Sequence, residues 1–87
     1  MVLSYRVDAR RVAVRDLRRL AARDAARVSA AIADLAQNPR PPGVKKLRGG
    51  AGWRLRIGEY RLIYLLFDRE RLVVIDRIER RTTTTYD

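Results

Sequence analysis

The sequence predicts an α+β fold with the element order β-α-α-β-β-β, in which a helical hairpin packs on a small, mostly antiparallel, twisted sheet. Two helical patterns of apolar residues fill the first half of the chain, a proline-rich connector follows at 39–43, and three strand-like segments come after it. Because 87 residues suffice for a single hydrophobic core, we expect one domain over residues 1–87.

The first half of the chain predicts a short strand followed by two helices. The alternating segment 3–7 is typical of a strand, and Asp8 after it suits the N-cap of the first helix. We expect a second helix to start near Asp24 and to end at Asn38-Pro39, since proline cannot continue it. The apolar residues that share a face at helical spacing are Ala13, Leu17 and Leu20 in the first helix and Val28, Ala31, Ile32 and Leu35 in the second.

The second half predicts a connector, a loop and three strands. Three prolines within 39–43 prevent a helix there, so this segment is expected to be extended. The following segment, 45–52, combines basic residues with glycines and predicts a flexible loop. Strands are expected at about 53–57, 60–67 and 71–78.

The first two of these strands predict a β-hairpin with arginines on one face. If Gly58-Glu59 is a two-residue turn, Arg56 lies opposite Arg61, and Arg54 shares their face. Like charges directly opposite each other destabilise a ladder by a few tenths to about 1 kcal/mol. This arrangement therefore favours an anionic partner, with phosphate as the first candidate. The other face, which we expect to pack on the helices, carries Trp53, Leu55, Ile57, Tyr60, Leu62 and Tyr64.

The composition also indicates an anionic partner. The chain has 20 Lys and Arg residues against 10 Asp and Glu, a net charge of +10, which is typical of a nucleic-acid-binding protein. It has no cysteine and no histidine, which excludes disulfides and thiol nucleophiles and removes the commonest acid–base catalyst. We expect no metal and no cofactor. Since neither a long apolar run nor a signal-peptide core is present, we expect a cytoplasmic protein without membrane contact.

The segment WRLRIGEYRLIY at 53–64, followed by an acidic turn, a Val/Ile strand and a closing Arg80-Arg81…Tyr86, resembles the RelE/ParE superfamily of bacterial toxins. The resemblance extends over nearly the whole chain. It implies a RelE-like fold and a toxin that a cognate antitoxin protein neutralises. The RelE branch cleaves messenger RNA in the ribosomal A site, whereas the ParE branch inhibits DNA gyrase and lacks nuclease activity. The fold does not choose between these activities, so the site residues must.

At the motif positions the basic residues favour the RelE branch, a metal-independent endoribonuclease in which a 2′-hydroxyl attacks the adjacent phosphate. The resemblance implies that Arg61 and a late arginine clamp the scissile phosphate. It also implies that other strand arginines stabilise the charge and that a terminal tyrosine stacks on a base. The implied catalytic residues are Arg54, Arg56, Arg61, Arg81 and Tyr86, and the implied RNA-binding residues are Lys45, Lys46, Arg48 and Arg80.

Two features depart from the family pattern. Strand positions that often carry lysine in the family hold Arg54 and Arg56 here, and arginine, with a pKa above about 12, is a poor proton acceptor. A loop lysine or a group on the ribosome is then left as the base. Four threonines also precede Tyr86, so either Arg80 or Arg81 can be the late arginine.

Three other functions stay open on the sequence. The chain can be a ParE-like gyrase inhibitor. It can also be an inactive relative whose arginine face only binds the antitoxin, a protein that in such systems often folds when it binds the toxin. A general DNA- or RNA-binding module is disfavoured, because the sequence has neither a helix-turn-helix signal nor an interleaved aromatic ladder.

Overall fold

The chain adopts the predicted α+β architecture, with two helices packed on one face of a sheet. The computed structural model describes residues 4–81, and within them the sheet has five strands. In chain order the elements are β1 (Arg6–Ala9), α1 (Arg11–Arg18), α2 (Ala22–Leu35), β2 (Lys45–Lys46), β3 (Gly52–Ile57), β4 (Tyr60–Phe67) and β5 (Leu72–Arg80). The strand order is β1-β5-β4-β3-β2, with β1 parallel to β5 and the other neighbours antiparallel.

The predicted helix-packed face of the sheet is confirmed. Leu62 and Tyr64 are fully buried there against Ala13 of α1 and Val28 and Leu35 of α2. We call this the inner face. Burying an aliphatic side chain of this size contributes about 1.5–3 kcal/mol, so the inner face accounts for most of the hydrophobic stabilisation. The predicted residues Trp53, Leu55, Ile57 and Tyr60 are partly buried around the same cluster.

The prediction that Asp8 caps the first helix is wrong, because Asp8 lies within β1. Parallel pairing with β5 keeps the chain extended as far as Ala9, which lies opposite Ile75. The helix therefore begins after Arg10, which occupies the N-cap without a side-chain cap. Instead, the Arg10 amide donates a hydrogen bond of 2.9 Å to the carbonyl oxygen of Ile75, so β5 fixes the start of α1.

The loop before the hairpin is also more regular than predicted. Lys45 and Lys46 form β2, which pairs with β3, and the Leu47 amide donates a hydrogen bond of 3.0 Å to the carbonyl oxygen of Gly52. The prediction of a flexible loop over 45–52 is therefore wrong for its first two residues and for its last, Gly52, which begins β3. Pairing with β3 outweighs the loop character of the local sequence.

The second helix begins at Ala22, before the predicted start near Asp24, and ends at Leu35, before the predicted end at Asn38-Pro39. Ala36 follows as the C-cap, with its amide donating to Ala33 in a tightened last turn. Neither this helix nor any other within residues 4–81 is long and apolar enough to cross a membrane.

A β-bulge decides which side chains of β5 reach each face. Positions 63 and 64 of β4 lie opposite positions 77 and 75 of β5, so Asp76 is the extra residue. Because of this shift, Ile75 and Ile78 both point into the core although they are three residues apart. Arg77 and Glu79 consequently lie on the face away from the helices.

Three side chains, which we call the connector clamp, hold the segment that leads into β2. Arg40 donates hydrogen bonds of 3.1 and 2.6 Å to the two carboxylate oxygens of Asp68, and the Tyr5 hydroxyl donates one of 2.5 Å to the same carboxylate. The hydrogen bonds from Arg40 and then from Tyr5 lower the pKa of Asp68 to about 2. Arg40 also lies 5.0 Å from the centre of the Trp53 ring, which ties the connector to β3.

Candidate nucleic-acid interface

The hairpin of β3 and β4 has the predicted turn and register. Gly58 has a φ of +58° at the first central position, as a type II′ turn requires. Arg56 lies opposite Arg61, and Arg54 lies opposite Ile63. The three arginines therefore share the face of the sheet that points away from the helices, which we call the outer face.

The structure separates the basic residues before the hairpin. Lys45 lies opposite Arg54 and therefore joins the outer face. Lys46 lies opposite Trp53, with its ammonium group 5.5 Å from the centre of that ring and hydrogen-bonded to the carbonyl oxygen of Gly50. Arg48 is exposed in the loop that joins β2 to β3. Of these three, Lys45 is the one that the register places beside the arginines.

The two late arginines lie on opposite sides of the hairpin tip. Arg80 lies opposite Tyr60, on the inner side, and its Nη2 atom is 3.2 Å from Oε2 of Glu59. The amide of Arg81 donates a hydrogen bond of 2.6 Å to the carbonyl oxygen of Glu59, which continues the ladder by one residue. Strand alternation then places the Arg81 side chain on the outer face, so Arg81 is the late arginine on the same side as Arg61.

Two charged residues that sequence reasoning missed complete the outer face. Glu79 lies opposite Arg61, and Arg77 lies opposite Ile63. The Glu79 carboxylate accepts a hydrogen bond of 2.9 Å from Nε of Arg77 and lies 3.7 Å from Nε of Arg61. One carboxylate within the protein thus offsets part of the arginine repulsion. Regular strand alternation along β5 does not predict that Arg77 and Glu79 lie on the outer face, because the bulge at Asp76 reverses the alternation.

Together these positions form what we call the outer basic cluster, which consists of Lys45, Arg54, Arg56, Arg61 and Arg81. The helices pack on the opposite face and leave the cluster uncovered within residues 4–81. All four arginines take part in polar or electrostatic interactions within the protein, which restrict where their guanidinium groups can lie. Guanidinium groups bind phosphate oxygens in pairs, and a lysine amine can exchange a proton. The predicted base-stacking residue, Tyr86, lies outside the described residues.

Comparison with known proteins identifies the family. A family model described as the ParE toxin of a type II toxin-antitoxin system, parDE, matches residues 7–84. A chain in the RelBE2 toxin-antitoxin complex of Mycobacterium tuberculosis is 34% identical, with 93% of this chain and 95% of that chain covered and a TM-score of 0.79. A chain of the archaeal RelE-RelB complex from Pyrococcus horikoshii OT3 is 27% identical, with 97% and 100% covered and a TM-score of 0.84. No curated protein matches the sequence.

A likeness of fold extends to more distant proteins. The isolated RelE toxin of E. coli is 20% identical, with 92% of this chain and 87% of that chain covered and a TM-score of 0.79. Two helices on a mostly antiparallel sheet are thus the architecture of a family of small toxins. Because the family model spans most of the sequence, this chain belongs to the RelE/ParE superfamily and is a toxin of a type II toxin-antitoxin system.

Proposed function

We propose that this toxin is a ribosome-dependent endoribonuclease, which cleaves messenger RNA in the cytoplasm and so stops translation. The proposal rests on one observation, the meeting of Lys45, Arg54, Arg56, Arg61 and Arg81 on a single sheet face that the helices leave uncovered. Cations fixed in this way stabilise the charge that develops on a phosphate during cleavage. The net charge of +10 supports an RNA partner independently.

The proposed reaction needs neither a metal nor a cofactor. The 2′-hydroxyl oxygen attacks the adjacent phosphorus and loses its proton to a base, while the bond from phosphorus to the 5′-oxygen breaks. The 5′-oxygen takes up a proton, and a 2′,3′-cyclic phosphate remains on the upstream fragment. Arg61 and Arg81 clamp the non-bridging oxygens, and Arg54 and Arg56 stabilise the phosphorane.

Lys45 is our candidate for the proton-transfer group. Arginine holds its proton too tightly to act as a base, whereas Lys45 is a lysine whose strand position lies opposite Arg54, on the face of the cluster. Lys46, the other lysine, is engaged with Gly50 and Trp53. We assign Lys46, Arg48 and Arg80 to contacts with the RNA backbone and Tyr86 to base stacking.

We also propose that an antitoxin protein binds the outer face. The relatives from Mycobacterium tuberculosis and Pyrococcus horikoshii were solved as toxin-antitoxin complexes. An antitoxin segment rich in carboxylates would match the charge of the outer basic cluster. Occupying that face would block access of RNA to the same arginines.

A gyrase inhibitor is the second candidate function. The description of the matching family model, ParE toxin, favours it. In that case the outer basic cluster binds a protein surface, and no RNA is cut. A third candidate is a toxin relative that binds an antitoxin and has no activity of its own.

Primer extension of messenger RNA on purified ribosomes tests the proposal, beside a gyrase supercoiling assay with the same preparation. We expect new cuts on ribosome-bound message and no effect on supercoiling. Inhibited supercoiling without cuts would overturn the proposal in favour of the gyrase inhibitor. No effect in either assay would overturn it in favour of the inactive antitoxin-binding protein.

A further inference from the structure

The hairpin tip carries a guanidinium group on its helix side that the proposed reaction does not use. Arg27 extends from α2 to the turn, and a methyl group on Gly58 would lie 2.9 Å from its Nη1 atom and 3.0 Å from its Nη2 atom. The positive φ of position 58 favours glycine, whereas the flexible end of the Arg27 side chain can move away from an added methyl group. Sequence reasoning did not single out Arg27.

A second contact fixes α2 at the tip. The hydroxyl of Tyr60, the first residue of β4, donates a hydrogen bond of 3.1 Å to Oδ2 of Asp24. Asp24 and Arg27 are three residues apart on α2, so they lie on neighbouring positions of one helix face. The position of Arg27 over the turn thus follows from the docking of the helix on the hairpin.

Arg80 lies beside the same turn. It sits on the inner side of the sheet and pairs with Glu59, the residue after Gly58. The side chains of this ion pair are 70% and 72% exposed, and such a pair contributes little stability. A phosphate can therefore replace the Glu59 carboxylate as the partner of Arg80 at small energetic cost.

Cations consequently lie on both sides of one two-residue turn. Arg56 and Arg61 come from the outer side, on the strand residues that approach the turn. Arg27 and Arg80 come from the inner side. A flexible polyanion that binds the outer basic cluster can continue around the tip and meet the second pair.

From this geometry we infer that single-stranded RNA crosses the hairpin tip, and that Arg27 and Arg80 bind the phosphate of a nucleotide flanking the cleavage site. The inference rests on the proposed function, since it extends the path of the same RNA. Both arginines bind the substrate and take no part in the chemical step. Arg27 extends the RNA-binding surface from the sheet to α2.

The test compares Arg27→Ala with Arg69→Ala. Arg69 is an exposed arginine in the turn after β4, at the end of that strand away from the hairpin tip. Arg69→Ala therefore removes the same charge as Arg27→Ala and leaves the tip unchanged. Cleavage is measured on ribosomes programmed with a defined messenger RNA, as a function of toxin concentration. Fluorescence anisotropy measures binding of a labelled trinucleotide and of a longer single-stranded oligoribonucleotide.

We expect Arg27→Ala to raise the half-saturating toxin concentration and the Kd of the longer RNA roughly fivefold. The maximal cleavage rate and the Kd of the trinucleotide should stay unchanged, and Arg69→Ala should behave as the wild type. A maximal rate that falls with unchanged half-saturation would overturn the inference, and so would equal behaviour of Arg27→Ala and wild type. If the wild type neither cuts message nor binds RNA, the proposed function fails together with the inference.

Discussion

Arg61 lies between a like charge and an opposite charge. Arg56 faces it from β3, and Glu79 faces it from β5 with 3.7 Å between Nε and the carboxylate. Its side chain is only 20% exposed, so contacts within the protein already restrict its position. We expect Arg61→Ala to slow message cleavage about 10²- to 10³-fold, the loss typical of one stabilising donor. Single-turnover cleavage on ribosomes measures the rate, and circular dichroism checks the fold.

Arg69→Ala is the matched control for this experiment. It removes the same charge from an exposed turn at the other end of β4, and we expect the wild-type rate. A correctly folded Arg61→Ala toxin that still cuts message at the wild-type rate would remove Arg61 from the mechanism.

Lys45 can be tested by separating its charge from its ability to exchange a proton. Lys45→Arg keeps the charge beside Arg54 but cannot serve as a base, so we expect the maximal rate to fall about 10²- to 10⁴-fold with little change in half-saturation. Lys45→Ala should lower the rate and weaken binding as well. If Lys45→Arg cuts as fast as the wild type, Lys45 contributes charge alone and the ribosome supplies the base.

Glu79 contacts two arginines of the outer face. Its carboxylate accepts a hydrogen bond from Arg77 and lies near Arg61, so under the proposed function it competes with RNA phosphate for those cations. We expect Glu79→Gln to tighten RNA binding several-fold and to lower the free energy of unfolding by up to about 1 kcal/mol, the usual range for exposed pairs. Anisotropy and urea unfolding measure the two effects. Weaker RNA binding by this variant would mean that Glu79 positions the arginines and does not compete for them.

The β3–β4 hairpin was predictable because its chemistry is local. A glycine at the first central position of a two-residue turn fixes the register, and the register then fixes which side chains share a face. The arginines at positions 54, 56 and 61 could therefore be assigned to one face from sequence. The same reasoning correctly assigned Trp53 and Tyr64 to the other face.

Elements that depend on distant partners were not predictable in this way. Asp8 has the composition of a helix cap, but parallel pairing with β5 makes it a strand residue. Lys45 reaches the outer face through pairing with β3, and Glu79 through a bulge at Asp76. Arg27 approaches the site from a helix. Asp8 pairs with Val74 and Arg27 reaches Gly58 across long stretches of chain. The pairing of Lys45 with Arg54 and the bulge at Asp76 have no turn signal in the local sequence that would fix their register.

The connector clamp gives the fold a dependence on acidic pH. Hydrogen bonds from Arg40 and Tyr5 hold the pKa of Asp68 at about 2, below its ordinary value of 3.8. In the unfolded chain Asp68 binds its proton near that ordinary value, so the clamp stabilises the fold above about pH 4, and this contribution disappears as the pH falls to about 2. We expect Asp68→Asn to be less stable than the wild type at neutral pH and to lose less stability over this range.

Thermal unfolding at several pH values measures this difference. Asp34→Asn is the matched control, since Asp34 is an exposed carboxylate of α2 outside the clamp, and it should follow the wild-type curve. Parallel pH curves for Asp68→Asn and the wild type would show that the clamp does not contribute to acid sensitivity.

The hydrophobic core and the proposed binding site lie on different faces of the sheet. The inner face buries Leu62 and Tyr64 completely under the helices, whereas the outer face holds the basic cluster. Substitutions of the outer-face arginines therefore leave the inner-face core intact, although Ile63 is buried on the outer face between Arg54 and Arg77. This division allows the proposed binding and catalysis to be tested without removing the inner-face core.

With a net charge of +10, the proposed RNA binding can be either diffuse or localised. Each phosphate contact with single-stranded RNA changes the slope of log K against log salt by about 0.7. If RNA binds the outer face, Arg54→Ala/Arg56→Ala should make the slope shallower by about 1.4. Arg11→Ala/Arg15→Ala removes two equally charged, exposed residues from α1 and should leave the slope unchanged. Equal changes in the two double variants would mean that RNA binding depends on the overall charge of the toxin and is not localised to the outer face.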